Sequence, residues 1–375
     1  MKRWQATPVT LNPRPLRRGT THLYERIFDQ VRSELGEDAL AAGGFKIHTT
    51  ILKEAQEAAE KSLLESLAKA ERHPGYNHQR YADYNKSDPK PAEYLQGAVL
   101  MIDHDTGEVL AHVGGRDYSQ TQYDFIESGK RPLGTAFFPY VYAAGLRNNF
   151  TPSTMLDDEP INNREVMIGG QEGIPGEFGM EVASPKYQGR IPMREAFENS
   201  KIGATIRFAN QVGLQRVLDT GVAFGLPLEK AELLPRIAIG FEGATMKQAV
   251  GAMAVFPRGG RSAAEKLVYL ERIEDADGRT RFRRHHSPVR DRAVIDSASA
   301  WQIHSMMAGS LERGSSQGAL NGLVEKNFSG AGKGGSTFQF SDTWFLGYNK
   351  RVTCGVWTGF LSGGSDAIYP GAFSR

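Results

Sequence analysis

The sequence has little cysteine, no long apolar run and no excess of charge. Its single cysteine, Cys354, excludes an intramolecular disulfide, and the strand-like residues around it favour an inert buried thiol. No stretch approaches the roughly 18 apolar residues that cross a bilayer, and residues 1–5 lack the apolar core of a signal peptide. The 45 basic and 43 acidic residues nearly cancel, so no long-range field favours nucleic acid or an anionic membrane surface.

Metal and nucleotide chemistry also lack their usual motifs. The nine histidines are scattered apart from His285 and His286, and no Cys/His cluster has zinc spacing. The glycines between residues 169 and 176 lack the Gly-Lys-Ser/Thr ending of a phosphate loop. The basic run 279–292 is interpreted as a solvated hairpin end. We therefore predict no metal, no cofactor and no nucleic-acid partner.

The first part of the chain predicts a linker and then alternating helices and strands. Residues 1 to about 22 contain three prolines and read as a linker, which a helix near Tyr24–Leu35 follows. Residues 45–51 alternate like a strand, and apolar residues then recur at helical spacing from Leu52 to Leu67. We predict a division into residues 1–45, a linker and N-terminal helix, and residues 46–375, one domain.

Hairpins at both ends of that domain enclose a helical region. Residues 97–103 and 109–115 flank one turn, and residues 343–348 and 352–357 flank another. A mostly helical lobe is predicted between about 140 and 260. Strands at 267–273 and 280–282 and a helix near 297–313 follow it. This order predicts an α+β fold with an antiparallel sheet whose first and last strands are distant in sequence.

Three short segments carry the chemical information. They are Pro-Leu-Gly-Thr-Ala-Phe-Phe-Pro-Tyr at 132–140, Arg-Glu-Ala-Phe-Glu-Asn-Ser-Lys-Ile at 194–202, and Ser-Gly-Ala-Gly-Lys-Gly-Gly-Ser-Thr at 329–337. In this order, with the hairpin at 97–115 and Asp-Thr-Trp-Phe at 342–345, they resemble the transpeptidase domain of class A penicillin-binding proteins. The resemblance runs from about Tyr24 to the end. It implies a penicillin-binding transpeptidase or serine β-lactamase-like fold, with a five-stranded antiparallel sheet flanked by helices and a mostly helical lobe.

The first segment stands where the family has Ser-x-x-Lys, whose spacing puts a hydroxyl beside an amine on one helix face. Here the two positions hold Thr135 and Phe138, so the hydroxyl remains and the lysine is lost. Loss of a positioned base typically costs about 10² to 10⁴ in rate. Two interpretations follow: Thr135 caps backbone amides at the start of a helix, or it still acts as the nucleophile.

The second segment resembles the family's Ser-x-Asn motif but reads Ser200-Lys201-Ile202. In the family, the serine relays protons to the leaving group and the asparagine orients the lysine and substrate. Ser200 survives, whereas the side chain of Ile202 can neither donate nor accept a hydrogen bond. Lys201 holds the variable middle position, usually directed away from the cleft, and is a candidate substitute base.

The third segment stands where the family has Lys-Thr-Gly-Thr. Lys333 is expected to supply a fixed positive charge for a substrate or penicillin carboxylate, and Gly334 replaces the hydroxyl residue that helps to bind it. Gly335 is retained, where a missing side chain lets substrate backbone lie against the strand. Ser336 and Thr337 are candidate hydroxyl donors. The resemblance implies a substrate-binding strand at residues 333–337.

The resemblance also implies a setting. Class A members carry a membrane anchor and a glycosyltransferase domain before this region, so we expect this chain to be a piece of a longer, membrane-anchored parent on the periplasmic side. The family's substrates are the D-alanyl ends of stem peptides. We predict a non-catalytic transpeptidase-like domain in peptidoglycan assembly, acting as scaffold, regulator or stem-peptide binder beside a glycosyltransferase domain or other cell-wall proteins. The alternative is an active D,D-transpeptidase or carboxypeptidase with Thr135 as nucleophile and Lys333 or Lys201 as base.

Overall fold

The computed structural model describes most of the chain. The described residues are 21–85, 92–167, 186–262, 266–285, 292–321, 329–337, 340–362 and 368. Most of the predicted linker, the glycines at 169–176 and part of the basic run 279–292 lie outside these ranges.

Helices and strands alternate along the described chain. The helices are α1 (His22–Leu35), α2 (Glu37–Ala42), α3 (Lys53–Glu71), α4 (Phe138–Leu146), α5 (Asn163–Val166), α6 (Met193–Glu198), α7 (Ile202–Val212), α8 (Leu214–Ala223), α9 (Met246–Met253) and α10 (Ser297–Glu312). The strands are β1 (Lys46–Thr49), β2 (Gln96–Asp103), β3 (Val109–Val113), β4 (Arg131–Pro132), β5 (Met155–Asp158), β6 (Gly189–Pro192), β7 (Gly243–Ala244), β8 (Leu270–Glu274), β9 (Thr280–Arg283), β10 (Gly330–Ser336), β11 (Asp342–Asn349) and β12 (Val352–Gly359).

The central sheet has five antiparallel strands in the order β10-β11-β12-β2-β3. Strands β12 and β2 pair along their whole length, from Val352 opposite Asp103 to Gly359 opposite Gln96. This pairing joins the early hairpin to the late one. The predicted α+β class and the five-stranded antiparallel sheet are therefore confirmed.

Side chains of β2 alternate between two apolar layers. Val99 packs with Leu63 and Leu67 of α3, while Leu100 and Ile102 belong to the larger core on the other side of the sheet. This separation follows from the two-residue period of a strand. Because both faces are covered, β2 is buried along nearly its whole length.

The described residues between Phe138 and Met253 are mainly helical, as the sequence predicts. Every residue of α4 is buried, because α7, α8 and α10 pack around it. A helix that is apolar all round is typical of such a central position. Two short ribbons had no clear signal in the sequence. Strands β5 and β6 pair within this part, and β4, which precedes it, pairs with β7. The division of the chain at residue 45 stays a prediction.

One side chain covers His112 on the outer edge of β3. The Gln56 amide donates from Nε2 to the His112 carbonyl oxygen at 3.0 Å and accepts at Oε1 from the His112 amide at 2.7 Å. It therefore satisfies both backbone groups that an edge residue would otherwise present to another strand.

Candidate active site

A short 3-10 turn carries Thr135 against the edge strand β10. The turn spans Gly134–Phe137 and leads directly into α4. Gly134 has a φ of 57°, and a Cβ there would overlap the backbone of Ser336. Only glycine fits such a left-handed backbone at this close approach. The sequence thus fixes the hydroxyl-bearing turn directly on β10.

The Thr135 hydroxyl is held between two backbone groups of β10. Its Oγ1 donates to the Gly334 carbonyl oxygen at 3.2 Å and accepts from the Ser336 amide at 3.4 Å. The residue is only 5% exposed. Thr135 does bond backbone groups, as one interpretation holds, but they belong to the neighbouring strand and not to its own helix. That detail of the interpretation is corrected.

Lys333 is completely buried, and its ammonium has two hydrogen-bond partners. Nζ donates to Ser200 Oγ at 2.6 Å and to the Gly334 carbonyl oxygen at 3.0 Å. The Phe138 ring centroid lies 5.5 Å from Nζ. Burial lowers the pKa of Lys333 to about 7. Thr135 is not among the hydrogen-bond partners of Lys333, and the role expected for the Lys333 charge stays a prediction.

Phe138 occupies the position where the resemblance places a lysine. It is fully buried at the start of α4, with its ring tilted against Tyr142 at a centroid distance of 6.3 Å. The ring offers Lys333 an apolar neighbour and no proton acceptor. The side chain at this position therefore contributes to core packing and carries no group that can act as a base.

The second motif supplies one hydroxyl to this cluster and directs its lysine elsewhere. Ser200 lies between α6 and α7 with a φ of 55°, and its Oγ is 2.6 Å from Ser315 Oγ. The Lys201 ammonium lies 2.8 Å from Asp158 Oδ2. Ile202 is buried at the first position of α7. The structure therefore brings Ser200 to Lys333 and commits Lys201 to an ion pair.

The residues of β10 have different roles. Gly334 donates its amide to Ser316 Oγ at 2.9 Å, and Ser336 is half-buried. Gly335 packs against the 3-10 turn, where a Cβ would lie 2.6 Å from the Ala136 Cβ. Thr337 accepts the Asp342 amide at 2.9 Å, so it belongs to the turn into β11 and not to the cluster around Lys333.

A loop that sequence reasoning missed completes the site. After α10, Ser315 and Ser316 bond Ser200 and the Gly334 amide. Arg313 anchors this loop through Glu198, with Nη2 to Oε1 at 2.6 Å and Nε to Oε2 at 2.9 Å. The Gly-Ser-Ser run after a helix is only a generic turn signal. Its place beside the motifs depends on how α10 packs on β10.

Gly335 offers a stability test with a matched neighbour. We expect Gly335→Ala to lower the free energy of unfolding by about 1–3 kcal/mol, because the new methyl group meets the Leu133 carbonyl and Ala136. Chemical denaturation measures the change. The control is Gly334→Ala, whose Cβ would meet only Ser316 Oγ, at 3.2 Å, and which should change stability by less than about 0.5 kcal/mol. Equal losses in the two variants would contradict the close packing described for Gly335.

Among the described residues, no group of three or more His, Cys, Asp or Glu side chains is placed to hold a metal ion. In the same part of the chain, no helix combines the length and apolar character that spanning a membrane requires. Burial raises the pKa of the Cys354 thiol to about 12.

Sheet order, helical lobe and the turn facing an edge strand together define a penicillin-binding transpeptidase fold. Penicillin-Binding Protein 1A from Haemophilus influenzae superposes with a TM-score of 0.75 at 17% identity, over 93% of this chain and 68% of that one. PonA1 from Mycobacterium tuberculosis gives a TM-score of 0.68 at 19% identity, over 92% of this chain and 87% of that one.

Sequence comparison leads to the same family. The family model described as the penicillin binding protein transpeptidase domain matches residues 97–360. Penicillin-binding protein 1A of Rickettsia typhi is 28% identical over 288 residues, which are 71% of this chain and 35% of that protein. Penicillin-binding protein 2D of Bacillus subtilis is 24% identical over 93% of this chain and 46% of that protein. The chain belongs to the penicillin-binding protein transpeptidase domain family, and it spans about a third to a half of the length of these relatives.

Proposed function

We propose that this chain is a transpeptidase-like domain of peptidoglycan synthesis whose Ser-x-x-Lys centre does not work. It then serves as a scaffold, regulator or stem-peptide binder, which makes it a pseudoenzyme with respect to D,D-transpeptidation. The parent chain would be anchored in the cytoplasmic membrane with this domain on the periplasmic side, next to a glycosyltransferase domain or other cell-wall proteins.

One observation supports the loss of acyl transfer most directly. The Thr135 hydroxyl is bonded to the Gly334 carbonyl oxygen and the Ser336 amide, and no base is among its partners. A nucleophilic hydroxyl needs a proton acceptor within hydrogen-bond reach. The Ser336 amide is also no longer free to stabilise a developing oxyanion, because it already donates a hydrogen bond to Thr135 Oγ1.

The two candidate bases are both committed elsewhere. Lys333 donates to Ser200 and Gly334, and Lys201 pairs with Asp158. Without a base, acylation of a threonine slows by about 10² to 10⁴. This argues against the alternative function, an active D,D-transpeptidase or carboxypeptidase that uses Thr135.

Structural relatives provide the contrast for a test. PonA1 was solved in complex with penicillin V, and penicillin-binding protein A of Mycobacterium tuberculosis as an imipenem acyl-enzyme complex. We expect penicillin to leave Thr135 unmodified in this chain, as measured by intact mass and peptide mapping after prolonged incubation. A penicilloyl group on Thr135 would overturn the proposed function and favour the active alternative. Calorimetry with a stem pentapeptide then separates the remaining roles, because only a binder gives a saturable heat.

A further inference from the structure

In this site Ser200 and Lys333 bring a hydroxyl and an amine together, and Thr135 is not part of that contact. We propose that Ser200 and Lys333 form a serine–lysine dyad that accepts an acyl group from small activated acyl donors. The inference rests on the proposed function to the extent that Thr135 does not react. The proposed centre has Ser200 as its nucleophile and combines residues of the second and third motifs.

The geometry supplies the two requirements of such a dyad. Lys333 Nζ lies 2.6 Å from Ser200 Oγ, which is within proton-transfer distance. Ser200 is half-buried and neighbours the exposed Ser315, whereas Lys333 is completely buried behind it. Ser200 therefore lies nearer the surface than Lys333, on the side from which a donor would approach.

The surroundings of Lys333 favour its neutral form. Burial alone accounts for the lowered pKa of Lys333. The ring of Phe138 fills the position where the resemblance places a second lysine. The charged and titratable groups on the neighbouring elements are engaged elsewhere. Lys201 pairs with Asp158, Glu198 pairs with Arg313, and His304 of α10 bonds the Tyr348 hydroxyl. Near neutral pH a substantial fraction of Lys333 is free to accept a proton.

Ser200 itself carries two marks of a reactive position. Its φ of 55° is unusual for a residue with a side chain, and such strain concentrates at functional sites. Helix α7 begins two residues later without a side-chain cap, so its positive end lies beside the position where negative charge would develop. Ser315 Oγ, at 2.6 Å, holds the Ser200 hydroxyl in place.

The reaction needs only the acyl donor and water. Ser200 Oγ attacks the carbonyl carbon of the donor, and its proton passes to Lys333 Nζ. The bond from the carbonyl carbon to the leaving group breaks, and Lys333 returns the proton to the leaving oxygen. Water then cleaves the Ser200 ester by the same proton path, which releases a carboxylic acid and regenerates Ser200.

The test uses p-nitrophenyl acetate as the probe and the whole chain as the protein. We expect an acetyl group on Ser200 by peptide mapping, and release of nitrophenol that accelerates as the pH rises through about 7. Ser200→Gly, which suits the positive φ, should abolish acetylation at this position, and Lys333→Met should slow it by about 10² to 10⁴. Ser128→Ala removes an exposed serine elsewhere and should leave the rate unchanged.

The outcomes separate this inference from the proposed function. Absence of acetyl-Ser200, or a rate that Lys333→Met leaves unchanged, overturns the dyad and leaves the proposed function standing. An acetyl group on Thr135 in place of Ser200 overturns both. Circular dichroism of each variant shows whether a lost rate reflects lost chemistry or lost folding.

Discussion

The Lys333→Met variant is expected to gain stability over the wild type as the pH falls. Between pH 9 and pH 6, the difference in free energy of unfolding should move in favour of the variant by about 3 kcal/mol, which is about two pH units at roughly 1.4 kcal/mol each. The cause is burial, which lowers the pKa of Lys333 from 10.5 to about 7.

The sign follows from proton binding. Below pH 7 both the folded and the unfolded chain hold the Lys333 proton, so folding bears the full cost of burying the charge. Between pH 7 and 10.5 only the unfolded chain holds it, so the wild type becomes more stable as the pH rises. Methionine has a similar length and no charge, and the partners that it leaves keep other bonds: Gly334 to Thr135, and Ser200 to Ser315.

Urea denaturation of both proteins at pH 6, 7, 8 and 9 measures this effect. Lys201→Met is the matched control, because it removes the other lysine of the motif segments from a buried ion pair. Asp158 would then be left without its partner, so this variant should lose stability at pH 6 instead of gaining it. A constant difference between wild type and Lys333→Met across the range would contradict the titration assigned to Lys333.

The second large effect is restored acylation. We expect the triple variant Thr135→Ser, Phe138→Lys, Ile202→Asn to form a penicilloyl adduct on residue 135 at least 100-fold faster than wild type. The variant has a less hindered hydroxyl at position 135, a base three residues later on the same helix face, and an amide two residues after Ser200. Intact mass against time, with mapping of the modified peptide, gives the rate.

The gain should come at a cost in stability. Phe138 is fully buried, and a lysine there introduces an ammonium beside Lys333 in a core position. Removing a buried aromatic side chain alone typically costs about 3–5 kcal/mol. The reaction is therefore best followed at low temperature, with the folded fraction measured in parallel. If Thr135→Ser alone reacts as fast as the triple variant, the absence of a base at position 138 does not limit acylation.

Local patterns account for much of the fold. The hairpin at 97–115 and the late hairpin both show strand alternation with turn residues between them, and both occur as β2–β3 and β11–β12. The helices α3 and α10 follow apolar repeats within a few residues of their predicted bounds. These features depend on residues that are near in sequence, where a period of two or 3.6 decides the structure.

The chemistry of the site depends on contacts that no local pattern contains. Ser200 and Lys333 are 133 residues apart, and Ser316 reaches Gly334 only because α10 packs on β10. Lysine side chains are almost never fully buried unless they are paired, so no local pattern predicts the complete burial of Lys333. The resemblance implies which residues stand at the positions of a catalytic centre, but packing determines that the Lys333 amine meets Ser200 and not Thr135.

At both edges of the central sheet, side chains form hydrogen bonds that the backbone of a further strand would otherwise form. Gln56 does so on β3, and Thr135 and Ser316 do so on β10. An extended peptide that docks on β10 must therefore exchange partners with these hydroxyl groups, so much of the enthalpy of the new bonds is offset by the old ones. A ligand must compete with hydrogen bonds that the chain already makes with itself. Two copies that pair through these edges would gain few new hydrogen bonds.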